Sequence, residues 1–417
     1  MTGSGFSQSR MLKIAVTGIG VISSLGIGRD SFWESCRRAR SGIRRITAFE
    51  TREFRSNVGG CVTGFKPGKF MAPMVYRRMG RISRMTVAAG MEALADSRLD
   101  MASVKKERVA VIMGTSYGSS SHVESFYLSL LKEGPRGAQP MLFPETVPNA
   151  PASYLAMIYH INGPNITFCQ NDITAEAAIG YAANLLADDR VDVAIVGGGE
   201  ELSEILYRCY DAVGALNPIR VQQEAPVKPI PAGGLILGEG AAVLIMERVM
   251  FARKRGARIY GTLDSMAFKG GNSSMGHYER TGNQMGDAMR RALAAADIDR
   301  DDIDAVNISA NYSKELDEME QVQLSRLFER GAQTLRVTPL KYLTGDFGAA
   351  GTTRAAAVLM SLYHQKNLPS LPLAALTRLE DASAIWESLQ TKEIRHALMT
   401  GTTFGGGTCS MVFSRFE

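Results

Sequence analysis

The sequence predicts an α/β fold from two observations. Eight segments are rich in β-branched residues, most of them ending in Gly, Ser or Thr, and between them lie stretches whose apolar residues recur at helical spacing. In chain order the strand candidates are KIAVTGIGVIS (13–23), RVAVIMGTS (108–116), DVAIVGGGE (192–200), AAVLIMERV (241–249), ARIYGTLDSMAF (257–268), DAVNISAN (304–311), HALMTGTT (396–403) and CSMVFSRF (409–416). Ile179, Ala182 and Leu185 line one face of a helix candidate after residue 172. Met285, Met289, Ala292 and Leu293 do so later, and Ala355, Leu359 and Leu362 near the end. The strands read as near-continuous apolar runs, the pattern of a sheet buried on both faces by helices. Strand-to-glycine-to-helix transitions occur in both halves, but no sequence repeat links them.

Composition bounds the function. The chain has 417 residues, 45% hydrophobic and 21% charged, near globular averages, with only a polar start over residues 1–10 that reads as flexible. No uninterrupted apolar run reaches the roughly 18 residues of a spanning helix, so a cytoplasmic chain away from membranes is expected. Cys36, Cys61, Cys169, Cys209 and Cys409 are odd in number and free of CxxC spacing, which predicts reduced thiols, no zinc and no cofactor site. The net charge of +5 is unevenly placed: in YRRMGRISRM, Arg77, Arg81 and Arg84 recur at helical spacing and predict three guanidinium groups on one face. That face reads either as a solvated surface or as a dock for an acidic partner. Nucleic acid is disfavoured because no aromatics interleave the patch and no nucleic-acid module is present.

Chemistry concentrates in CQNDITAEAAIGYAANLL, where a strand ends, the chain turns and a helix opens at Asp172. A thiol at such a turn is activated by the unpaired amides and the positive end of the helix dipole. Aspartate there reads instead as an N-cap, its ionised carboxylate accepting bonds from the first helical amides. It would be a weak nucleophile.

Six motifs in order resemble the β-ketoacyl-acyl carrier protein synthases of the thiolase superfamily: VTGIGVISSLG (16–26), VPNAPASYLAMIYHINGPN (147–165), DVAIVGGGEE (192–201), LGEGAAVLIMER (237–248), TGDFGAAG (344–351) and TTFGGGTCSMVF (402–413). The resemblance implies a thiolase-like, five-layered αβαβα fold with two similar halves, 11–250 and 251–417. It also implies an obligate dimer and decarboxylative condensation of acyl thioesters on an acyl carrier protein, the acidic partner that Arg77, Arg81 and Arg84 would dock. The family's catalytic residues do not carry over. Its cysteine falls on Asp172, its first histidine on Ser309 or Asn311, and its second on Asp346, in a motif one residue short; the preceding lysine falls on Lys341. None of His122, His160, His277, His364 and His396 lies in the two C-terminal motifs, and His160 reads as a core histidine. Condensation needs imidazoles to donate to the malonyl carbonyl as the enolate forms. Cys169, three residues before Asp172, is the one displaced nucleophile to weigh, although the resemblance places it at the end of a buried strand as a small hydrophobe.

What remains resembles the chain length factor of type II polyketide systems, a ketosynthase-like subunit that pairs with an active ketosynthase and shares its tunnel. On that resemblance Met141, Leu142 and Phe143, in QPMLFPETVPNAP, are expected to reach the partner's tunnel or to serve as ordinary dimer core, and Phe404 to line an acyl pocket or pack as a core aromatic. Two other readings stay open. One is an enzyme of changed chemistry in which Asp172 and Asp346 form a proton-moving carboxylate pair. The other is a free-standing carrier-protein binder.

Overall fold

The computed structural model describes residues 13–227, 233–377 and 393–417. Five strands of the first half form the main sheet, β1 (Ile14–Ser23), β2 (Val109–Gly114), β3 (Asn165–Phe168), β4 (Val193–Glu200) and β5 (Gly240–Arg248), with Gly26–Ile27 paired onto β1 and Ile43–Arg45 with Val58–Gly60 as a separate pair. The second contributes β6 (Gly261–Lys269), β7 (Ala305–Asn307), β8 (Arg336–Val337), β9 (His396–Thr402) and β10 (Thr408–Ser414). The order across the sheet is β7-β9-β10-β6-β1-β5-β4-β2-β3. Counted within its own half, each set runs second, fourth, fifth, first, and the two first strands, β1 and β6, pair antiparallel at the centre. The third strand extends one edge as β3, while beside β8 a parallel bridge joins Thr338 to Asn307 of β7. The duplication absent from the sequence is therefore present in strand order.

Side-chain alternation builds the layers. Ala110 and Ile112, Ala194 and Val196, and Ala242 and Leu244 point inward onto the helices Thr174–Ala187 and Ala350–His364. Met399, Met411 and Leu263 of the second half share that cluster, so the two helices form a middle layer between the halves. The alternate residues Val111, Ile195 and Val243 pack outward with residues of the helix Arg81–Ser97. Val306, Leu398 and Val412 do the same on the other side with the helices Asn283–Ala296 and Lys314–Phe328. Helix, sheet, helices, sheet, helix is the five-layered fold the family resemblance implied. Both faces of each sheet are covered, which is why the strands are near-continuous apolar runs.

Candidate functional site

Both middle-layer helices bring their N-terminal ends toward one buried cluster. Asp172 sits in the turn Asn171–Ile173 between β3 and the helix Thr174–Ala187. It is not the N-cap that the sequence predicted. Ile173 occupies the cap position with no side-chain hydrogen bond, Thr174 Oγ1 donates to the Phe168 carbonyl at 2.6 Å, and the turn carries the Asp172 carboxyl into the interior, 9% exposed. Its amide donates to Thr403 Oγ1 at 3.3 Å, while Oδ2 has no hydrogen-bond partner among the described residues. Burial, and then the charge of Asp346, push this carboxyl up to about 7 against the opposing pull of Lys341 and Thr403. A group expected to be ionised is thus half protonated near neutrality.

Asp346, unlike Asp172, has direct partners for its carboxylate. Lys341 Nζ stands 2.8 Å from its Oδ1, with the two side chains 1% and 5% exposed, and Asn311 Nδ2 donates to its Oδ2 at 2.6 Å. The ammonium also reaches Ser309 Oγ at 3.4 Å, so Ser309, Asn311, Lys341 and Asp346 meet as the motifs implied. Burial opposes the charge on Lys341, but Asp346 and Asp172 outweigh it and hold the ammonium above the ordinary lysine range. Behind this set, Arg354 Nη1 lies 3.3 Å from Glu176 Oε1, and Glu320 accepts from Thr400 Oγ1 at 2.7 Å and from the Ser309 amide at 2.9 Å. Gly351 is required for this packing, since a Cβ there would sit 2.1 Å from Glu176 Oε2. Asp317 accepts from the Tyr342 hydroxyl at 2.5 Å. The buried cations Lys341 and Arg354 thus stand among the buried carboxyls Asp172, Asp346, Glu176 and Glu320, and burial raises Glu176, Glu320 and Asp317 as it raises Asp172.

The space left at the centre is about 20 Å³. Asp172 and Asp346 line it with Tyr117, Tyr210, Tyr278 and Phe404. Tyr117 and Tyr210 close it through a hydroxyl–hydroxyl contact of 2.8 Å, and Tyr278 accepts from Asn311 Nδ2 at 3.2 Å. Burial drives the Tyr117 phenol up to about 12, so it stays protonated and can only share hydrogen bonds. Sequence reasoning missed all three tyrosines. They stand in three unrelated segments with no common motif, so only the fold collects them. Glu200, quoted only as part of a glycine-rich strand end, also faces this space, pushed up to about 7 by burial against hydrogen bonds from Ser116 N and Thr115 Oγ1. Among the described residues no group of three or more His, Cys, Asp or Glu has the geometry to hold a metal.

Several expectations change. Cys169 is exposed, one residue past the edge strand β3, because that edge has no strand neighbour among the described residues; partial burial still pushes its thiol upward, the reverse of activation. His160 is exposed as well, capping the helix Ala150–Tyr159 at a φ of 51°. Arg77, Arg81 and Arg84 do not share a helix. The turn Pro73–Tyr76 ends at Arg77, and a new helix starts after Gly80. Arg81 is committed internally, 2.6 Å from Glu239 Oε1, and Arg84 donates to the Tyr76 carbonyl at 3.2 Å, leaving Arg77 exposed. Met141 and Phe143 are each 58% exposed and Leu142 is half-buried, on the same side chain stretch as exposed Val147. Phe143 packs its ring 5.9 Å from Phe126 on the helix Ser120–Glu133, which also exposes Tyr127 and Leu131.

Residues 11–252 match the N-terminal domain of β-ketoacyl synthases, and residues 260–374 match the C-terminal domain. The chain belongs to the β-ketoacyl synthase family. Among its relatives, a putative polyketide β-ketoacyl synthase 1 of Streptomyces halstedii is 29% identical over 96% of this chain and 98% of its own length. A 3-oxoacyl-[acyl-carrier-protein] synthase 2 of Vibrio harveyi is 28% identical over 97% and 98%. In structure the synthase fold matches the ishigamide ketosynthase/chain length factor with a TM-score of 0.86, at 23% identity over 98% of this chain and all of that one. No helix among the described residues is long and apolar enough to cross a membrane.

Proposed function

We propose that this chain is a ketosynthase-like subunit without condensation chemistry of its own, which pairs with an active ketosynthase in a type II polyketide or polyene synthase and helps to set chain length. The observation that carries the reading is the cavity between Asp172 and Asp346. Its 20 Å³ suffices for one water, for which roughly 10–15 Å³ is needed, and is far below the volume of an acyl thioester. Neither cysteine nor histidine lines it. An excess of buried carboxyls repels the malonyl carboxylate that a condensing enzyme must hold, and neither Asp172 nor Asp346 supplies the imidazole donors that steady an enolate. A ketosynthase/chain length factor among the structural neighbours fits this reading in fold. So do the unpaired edge strand β3 and exposed Met141, Phe143 and Val147, which a partner of the same fold would cover, with Met141, Leu142 and Phe143 brought to its tunnel. Arg77 remains free to meet an acidic acyl carrier protein, and this work is placed in the cytoplasm. The boundary between the halves is placed near residue 250, between β5 and β6.

The second reading keeps an enzyme. A carboxyl near neutrality beside an ion-paired one is a workable proton donor, and Asp172 has that setting. One experiment separates the readings. The intact mass of the purified chain, alone and with its co-expressed partner, is recorded after incubation with acyl and malonyl carrier-protein thioesters, and decarboxylation is followed in parallel. No adduct and no turnover by the lone chain, with condensation in the pair, is the expected result. An acyl adduct on the lone chain overturns it and makes Cys169 the first residue to replace; turnover without an adduct that is lost in Asp172→Asn supports the second reading.

A further inference from the structure

A second cavity, independent of the condensation site, lies where the end of the helix Arg29–Arg37, the strand Ile43–Arg45 and the helical turn Lys341–Thr344 converge. Its volume is about 620 Å³, within the roughly 300–1,000 Å³ of small-molecule sites. The charged groups lining it are Arg38, Arg40 and Arg44, and among the described residues no carboxylate joins them. They belong to the run CRRARSGIRR, which carries five arginines between Arg37 and Arg45. Local acids do not balance that run. Arg37 and Arg38 both pair with Glu34, and Arg45 donates to the Gln222 carbonyl at 3.2 Å. Arg40 and Arg44 have no carboxylate partner among the described residues. Arg44 donates from Nη1 to Thr63 Oγ1 at 3.3 Å, and its buried Nε has no acceptor among the described residues. A buried guanidinium donor without a partner is costly, and it marks a place where an acceptor is missing.

The rest of the lining says what kind of acceptor fits. Ser35 and Ser41 supply hydroxyls, while Ser24 Oγ donates to the Thr344 carbonyl at 3.1 Å, and one wall is the stacked pair Tyr312 and Tyr342, with rings 3.8 Å apart and 8° from parallel. Tyr312 holds a left-handed φ of 74°, an unfavourable backbone for a bulky residue, and the Gly233 and Gly234 amides donate to its carbonyl at 3.2 Å. Guanidinium forks and hydroxyls at a concave site suit tetrahedral oxyanions, and a ligand carrying two or more negative charges is needed to balance this lining. We propose that the cavity binds a phosphorylated small molecule, its phosphates held by Arg40 and Arg44 and its remainder lying against the Tyr312–Tyr342 wall.

Isothermal titration of inorganic pyrophosphate into the full chain, with its partner if the two co-purify, tests this at constant ionic strength. Saturable binding is expected, weakened about tenfold or more in Arg40→Gln and in Arg44→Gln, the effect of losing one charge-assisted bond. Arg40 is exposed, so its replacement leaves the ligand-free melting curve unchanged and keeps the test valid if Arg44→Gln unfolds. Absence of saturable heat at millimolar pyrophosphate overturns the proposal. So does binding that neither variant weakens, or equal affinity for sulfate or an acidic peptide, which would reduce the site to diffuse positive charge.

Discussion

The turn that carries Asp172 and the loop that carries Asp346 bring the same residue type into one cavity from opposite halves, and give the two carboxyls unequal partners. Asp346 is held by an ammonium and an amide, whereas Asp172 faces it with one oxygen unpartnered and its ionisation raised to about 7. The lesson is that residue type does not set ionisation at a buried site; the supply of partners does. Burial raises Asp172, Glu176, Glu320 and Asp317 alike, and Asp172 differs from Asp346 in lacking a direct ion-pair partner.

The largest test of that contrast is Lys341. Replacing it with Met leaves Asp346 buried without its cation, and a loss of about 3–5 kcal/mol in chemical denaturation at pH 7.5 is expected, in the range for one broken half of a buried pair. A loss below about 1 kcal/mol means that the Lys341–Asp346 pair does not hold the site and the contrast is false. Asn311→Ala removes the remaining donor to Asp346 and is expected to cost about 1.5–3 kcal/mol, the value of a bond to a charged group. The same change should have little effect in a Lys341→Met background, where the charge is no longer held, and a double-mutant cycle measures this.

Asp172→Asn should act with the opposite sign. Between about pH 4 and pH 7 the folded chain holds a proton that the unfolded chain, with an ordinary aspartate near 3.9, releases, so this group lowers stability as pH rises through that window and adds no further slope above it. The amide variant, free of that penalty, is expected to be more stable than the parent at pH 8 by up to about 4 kcal/mol, roughly 1.4 kcal/mol for each of about three pKa units, with the difference vanishing toward pH 4. If the variant is the less stable at pH 8, Asp172 is an ionised and partnered cap after all. The smallest effect sharpens the picture at the surface. Arg77→Ala should leave stability within about 0.5 kcal/mol and weaken carrier-protein association, whereas Arg81→Ala should destabilise the fold by stranding Glu239.

How much of this was legible follows from where each signal resides. Nearly all long strands were, because burial on both faces forces runs of β-branched residues that need no context to recognise. Strand β3 was not among the candidates: it is four residues long, lies at the sheet edge and is only partly buried. The positions Asp172, Ser309, Asn311 and Asp346 were legible through motif order, and they do converge. The pattern Arg77, Arg81, Arg84 misled because spacing assumes an unbroken helix, and the chain breaks at Gly80.

The sequence by itself determined the α/β alternation and the family, since each is a matter of which residues occur and in what order. The tertiary structure alone decided that Asp172 turns inward rather than capping its helix, that Tyr117, Tyr210 and Tyr278 fill the cavity, and that the two halves repeat one strand order. The physical reason is the same for all three. Burial, partner supply and excluded volume depend on neighbours hundreds of residues away, and no local pattern encodes them.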